Sequence, residues 1–147
     1  MKTSHHAFLM AVLISCAAQA APSDIIGHIQ NIQGTATIER GNTTLPGIKG
    51  TALYRGDRIR TGKPGAVGIV LTDDTSVSLG ASSILTLNDY DFDPKEGKFS
   101  LVMRMLKGTF SYISGQIVKL SPDAVQLQTP DATIAVRGTK LLINVEE

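Results

Sequence analysis

Apolar and polar positions alternate with period two along most of the chain. In Gly65-Ala66-Val67-Gly68-Ile69-Val70-Leu71-Thr72 the alternation puts Val67, Ile69 and Leu71 on one face, and Ser76-Val77-Ser78-Leu79 resumes it with Val77 and Leu79. Asp73-Asp74-Thr75 lies between the two runs and reads as a turn. Further strands are expected at Ile25–Gln33, Thr35–Arg40, Ser83–Asn88, Thr109–Ile113, Val125–Thr129, Thr133–Val136 and Leu141–Val145. Lys98–Leu106 fits both a strand and a helical face, and its bounding Gly97 and Gly108 set strand length. One helical turn is expected within Ser114–Leu120. These runs predict an all-β fold: a single domain of short, mostly antiparallel strands over residues 21–147, sandwich-like or solenoid-like.

The first twenty residues break this pattern. Lys2, with His5 and His6 beside it, precedes an uncharged apolar run from Ala7 to Ser15, and Ala18-Gln19-Ala20 satisfies the small-x-small rule for signal cleavage. The run is too short to span a bilayer, which takes roughly 20 residues. Export with cleavage after Ala20, into the periplasm or beyond, is the expectation. The alternative is a lipoprotein, because Leu13-Ile14-Ser15-Cys16 has the form of a lipobox and Cys16 would then carry the lipid.

Composition sharpens the picture once that segment is set aside. The chain of 147 residues carries 14 Lys+Arg against 13 Asp+Glu. Lys2 is the only formal charge lost with the leader, so the exported chain is neutral, which argues against nucleic acid as a partner. Its one cysteine leaves with the leader, so no disulfide is available. All 14 glycines remain and punctuate the strands. No spanning helix is expected in the mature chain, and its oligomeric state is left open.

Little in the sequence points to catalysis. His28 is the one histidine of the mature chain, and its place in an alternating strand turns it to solvent. No catalytic residue and no cofactor is assigned, and the expectation is that the protein is not an enzyme. Asp89-Tyr90-Asp91-Phe92-Asp93 opens like a calcium loop. Pro94 then stands where a glycine is needed and Ser100 where a bidentate Glu is needed, so Asp89, Asp91 and Asp93 remain a weak metal candidate beside the reading of an acidic strand edge. Arg55, Arg58, Arg60 and Lys63 cluster with Asp57 among them, which suits a partly paired, solvated face.

Four motifs in a fixed order define a resemblance. Gly56-Asp57-Arg58-Ile59-Arg60-Thr61-Gly62 comes first and Leu71-Thr72-Asp73-Asp74-Thr75 second. Gly108-Thr109-Phe110 through Gly115 is third, and Thr129-Pro130-Asp131-Ala132 with Val136-Arg137-Gly138-Thr139 is fourth. The chain resembles the FecR domain family in these, over about residues 24 to 145. Family members include inner-membrane regulators whose periplasmic portion senses a loaded outer-membrane receptor, and the likeness is to that periplasmic module alone. It implies a binding or regulatory module acting through contacts with an envelope protein, with binding of envelope polysaccharide or a small ligand as the alternative. The family usually has Asp-Gly at the hairpin where Asp73-Asp74 stands here, so that turn is expected to differ. The sequence stops soon after Thr139, so a final strand pair is expected to be missing.

The motif residues also have readings of their own. Gly62 is expected to end a strand at positive φ. Thr129-Pro130 reads as a strand end. Arg137 interrupts the apolar run Ile134-Ala135-Val136 and is expected to be partly buried against a carboxylate, with Asp57 the leading partner. The competing reading makes Arg137 a ligand contact.

Overall fold

The computed structural model describes residues 24–138 and 140–146. The expected leader, the Ala20–Ala21 bond, Cys16 and Thr139 lie outside the described residues. Ten strands form one sheet: β1 (Ile25–Arg40), β2 (Thr43–Pro46), β3 (Ala52–Tyr54), β4 (Arg58–Leu71), β5 (Ser76–Leu79), β6 (Ile84–Asp93), β7 (Lys98–Ile113), β8 (Val125–Gln128), β9 (Thr133–Ala135) and β10 (Lys140–Val145). One short helix, α1 (Gln116–Leu120), and a 3-10 turn at Pro122–Ala124 link β7 to β8.

The sheet closes on itself. β4 pairs with β6 through Arg58–Arg60 and with β5 through Val67–Val70, while β7 pairs with β6 along its first half and with β5 along its second. The circuit β4-β5-β7-β6 is therefore a four-stranded barrel, onto which β1, β2 and β3 add on one side and β8, β9 and β10 on the other. Neither two stacked sheets nor a coil of repeats is formed, so the sandwich and solenoid expectations give way to a barrel core. All strand pairs are antiparallel except β7 with β8, which the α1 crossover makes parallel.

Three strands are far longer than the glycine punctuation suggested, because several glycines sit inside strands. Gly34 and Gly108 take φ of 68° and 99° within β1 and β7 and bend them without ending them. Gly62 corrects the expectation made for it. It lies in mid β4, is absent from the positive-φ positions, and leaves room for Thr35 on β1, whose hydroxyl a Cβ at position 62 would strike. Bending lets one long strand serve two neighbours in turn, which is how so few strands close a barrel.

The period-two pattern decides what the barrel encloses. Ile29, Ile38, Leu53, Ile59, Ile69, Val77, Leu85, Met103, Met105 and Tyr112 have no exposed surface. The alternation of Phe99, Leu101, Met103 and Met105 is that of a strand, in agreement with β7.

Candidate functional site

Two buried carboxylates organise the motif residues. Asp57 follows a turn in which Gly56 takes φ of 87° and the Asp57 amide donates to the Tyr54 carbonyl. Its side chain is fully buried. Arg40 grips it with two hydrogen bonds, Nε to Oδ1 at 2.9 Å and Nη2 to Oδ2 at 2.8 Å, and the Tyr54 amide donates to Oδ2 at 2.9 Å. Arg40 Nη2 also reaches the Ala52 carbonyl, and its guanidinium lies 4.3 Å from the centre of the Tyr54 ring. The hydrogen bond to Asp57 raises the Arg40 pKa above its already high ordinary value, against the opposing effect of partial burial. This group ties the end of β1 to β3 and to the start of β4.

Asp73 is the second hub. The Thr75 amide donates to Oδ1 at 3.2 Å and the Tyr90 hydroxyl to Oδ1 at 3.0 Å. The Thr75 hydroxyl donates to Oδ2 at 2.8 Å and the Ile117 amide to Oδ2 at 3.2 Å. The Gln116 amide donates to the Asp73 carbonyl, so the β4–β5 hairpin holds the first turn of α1 by backbone and side chain together. Gly115 must be a glycine here, because a Cβ would strike the Asp73 carbonyl. Asp74 adopts the left-handed conformation at φ 68° that its Asp-Gly relatives would give to glycine, and its carboxylate accepts from Gln116 Nε2 at 3.0 Å.

Thr61 makes a smaller tie. Its hydroxyl donates to the Gly80 carbonyl and accepts from the Ser83 amide, fastening β4 to the turn before β6. Arg55 Nη2 donates to the Tyr90 carbonyl and so bridges the neighbourhoods of the two hubs.

Tyr90 and Tyr112 flank Asp73 inside the barrel. Burial pushes the Tyr90 phenol far above its ordinary pKa, and the same cause, added to by the Asp73 charge, pushes Tyr112 up to about 12. Tyr112 is fully buried, and its hydroxyl lies near Thr75 but makes no hydrogen bond of good geometry among the described residues. A raised tyrosine pKa leaves stability intact below about pH 10, where the unfolded phenol is neutral, and removes it as pH climbs toward 12. Tyr112→Phe deletes the orphaned hydroxyl, and the expected outcome is an unchanged or higher melting temperature at pH 7, by up to about 1 kcal/mol, with a smaller loss between pH 9 and 11. Thermal melts across that pH range check it.

In the fourth motif Thr129-Pro130 does end a strand, β8, whereas Arg137 departs from its expectation. Thr129-Pro130-Asp131-Ala132 forms the β8–β9 turn, where the Thr129 amide donates to the Ala132 carbonyl and the Thr129 hydroxyl accepts from the Ala132 amide. Arg137 is exposed, and Arg40 holds the carboxylate assigned to it. The reason is alternation: Val136 takes the inward position, 1% exposed, so Arg137 turns outward toward a cleft of about 320 Å³ shared with Val118, Pro122 and Asp123. Gly138 receives the Ser114 hydroxyl on its carbonyl.

The acidic row does not converge. Asp89 accepts from the Ser100 hydroxyl and lies 3.5 Å from Arg55, and Asp93 accepts the Glu96 amide at the following turn. Asp91 lies between them on β6, and no group of three potential ligands occurs among the described residues. Arg58 and Arg60 are paired with Glu39 at 3.8 and 3.1 Å, in keeping with a partly paired basic face.

A groove of about 470 Å³ crosses β5, β7 and β10, past Leu79, Phe110, Leu142 and Ile143, with Leu142 77% exposed at its rim. No strand of the sheet other than β7 pairs with β10 among the described residues.

Arg40 and Tyr90 escaped the reading of the sequence, yet a signal for Arg40 was there. Alternation puts Ala36, Ile38 and Arg40 on one face of β1 and Asp57, Ile59 and Thr61 on the facing side of the next strand. Glu39 pairs with Arg58, so Arg40 comes beside Asp57. Tyr90 reaches Asp73 across 17 positions, and no local spacing announces that contact.

A four-stranded barrel with polar ties at its strand crossings defines the class, an all-β domain. The family follows from comparison. A family model described as FecR protein matches residues 57–147, more than half of the chain, and the protein belongs to that family. The match opens at Asp57, so β1 to β3 lie before it. No curated protein matches the chain. A solved structure described as "Cell surface anchoring domain" is similar at 30% identity, with 42% of this chain and 83% of that one covered and a TM-score of 0.41. No helix among the described residues is long and apolar enough to cross a membrane.

Proposed function

We propose that this protein is an exported, non-enzymatic FecR-domain module that binds another protein of the cell envelope along a free strand edge, as part of envelope signalling. The observation that carries the reading is the β10 edge, which no strand covers among the described residues, with Leu142 exposed on it and an apolar groove crossing the adjoining face over β5, β7 and β10. An added strand gains main-chain hydrogen bonds from such an edge and side-chain specificity from the groove. The motif carboxylates Asp57 and Asp73 meanwhile face inward, held by hydrogen bonds from the fold itself. The tyrosines are not free to stack on a sugar. Tyr90 and Tyr112 are buried, and the Arg40 guanidinium sits over Tyr54.

A photo-reactive residue placed at Leu142 in the full chain tests this in the intact envelope. The expected result is a discrete protein adduct from position 142 and none from Lys95, in the β6–β7 turn. Absence of any protein adduct, together with saturable binding of envelope polysaccharide by the purified protein, would overturn it.

A further inference from the structure

We propose that β10 pairs with β10 of a second copy of this chain, antiparallel and in a register centred on Ile143, to form a two-fold symmetric dimer. This rests on the reading of β10 as a contact edge, for which a second copy and an envelope partner would compete.

The argument starts from the strand itself. Lys140-Leu141-Leu142-Ile143-Asn144-Val145-Glu146 carries a cation at one end, an anion at the other and four aliphatic residues between. Reversed, it offers the complement of itself. With Ile143 opposite Ile143 of the second copy, Lys140 meets Glu146 of the second copy at both ends of the seam. Leu141 meets Val145 on the half-buried face and Leu142 meets Asn144 on the open face. Leu141, Ile143 and Val145 already pack against the core, so this register extends the apolar layer of one copy into the other. Leu142, 77% exposed, gains Leu142 of the second copy as a diagonal neighbour across the seam.

Other registers do worse. A shift by one position sets the two cores on opposite faces of the joined sheet. Centring on Leu142 puts Lys140 opposite Asn144 and leaves Glu146 beyond the overlap. Centring on Asn144 puts Leu142 opposite Glu146. Within one copy Glu146 Oε1 already accepts from Asn144 Nδ2 at 3.3 Å, which holds the carboxylate along the open face. The edge also lacks an inward-pointing charge, proline or bulge within β10, the devices that usually keep such strands apart.

A single seam of this length is smaller than a standard interface of about 800 Å² a side, so the dimer is expected to be weak, in the range of about 10 μM to 1 mM. Analytical ultracentrifugation of the exported full chain over that range reads it. The expected result is a monomer–dimer equilibrium that weakens about tenfold or more with Leu142→Lys and strengthens at low salt. Lys140→Glu and Glu146→Lys each place like charges at both ends and are expected to weaken the dimer about three- to tenfold. Mixing those two single variants restores pairing as a heterodimer. The variants lie at exposed positions, and unchanged melting curves separate lost association from lost folding. A monomer throughout, or a dimer indifferent to Leu142→Lys and to the charge exchange, overturns the proposal. A monomer that still gives a heterologous adduct from position 142 overturns the self-pairing alone and leaves the functional reading standing.

Discussion

Replacing Asp73 by alanine is expected to cost about 4 kcal/mol or more, a fall in melting temperature on the order of 15 °C for a domain of this size. The side chain is fully buried and receives four hydrogen bonds, from the Thr75 amide and hydroxyl, the Tyr90 hydroxyl and the Ile117 amide. Alanine leaves all four donors facing a void that water must enter or leave unfilled. Asp73→Asn keeps the shape but presents an amide to donors around Oδ2, so it is expected to cost about half as much. Tyr90→Phe removes one of the four, together with the acceptor of the Asp73 amide and the bond to the Thr72 hydroxyl, and is expected to cost about 2 to 3 kcal/mol. Chemical denaturation of the three variants checks the order, and a double-mutant cycle between Asp73→Asn and Tyr90→Phe should return a positive coupling of about 1 kcal/mol. An Asp73→Ala protein within about 1 kcal/mol of wild type would mean that the barrel does not depend on this hub. Lys95→Ala, exposed in the β6–β7 turn, serves as the neutral comparison.

The hub shows where sequence reasoning reaches and where it stops. The turn at Asp73-Asp74-Thr75 was legible because an aspartate bonding the backbone two residues on is a local event. Tyr90 and Ile117 were not, since they arrive at Asp73 only after β6 and α1 have been placed by the rest of the barrel. The same division holds for the fold. Alternation located the strands, including the ambiguous Lys98–Leu106 run, because inward and outward positions are settled residue by residue. Barrel closure depends on which half of β4 meets β5 and which meets β6, a partition that no local spacing reveals. Glycines were read as ends of strands when several are hinges within them. β2 and β3 went unnoticed, and each turns a single aliphatic residue toward the core, Leu45 and Leu53.

Arg40→Met is expected to destabilise the protein by about 3 kcal/mol, while Arg137→Ala stays within about 0.5 kcal/mol of wild type. Methionine keeps much of the alkyl length that packs beside Tyr54 but withdraws both hydrogen bonds from Asp57, whose fully buried carboxylate then retains only the Tyr54 amide. The penalty is that of a buried charge without its counter-ion, which exceeds anything an exposed pair contributes. Arg40 is itself about one-third exposed, at 35%, so Asp57→Asn with Arg40 intact is the milder change, because the freed guanidinium can still be solvated. The double variant Arg40→Met/Asp57→Leu removes both charges and is expected to recover much of the loss, which distinguishes an unpaired charge from a broken packing contact. Equal melting temperatures for Arg40→Met and wild type, with a large loss for Arg137→Ala, would return the Asp57 partnership to the fourth motif. The structure argues otherwise on parity alone. Arg40 and Asp57 occupy inward positions on adjoining strand ends, whereas Val136 takes the inward place beside Arg137, so the one guanidinium is directed at the carboxylate and the other away from the core.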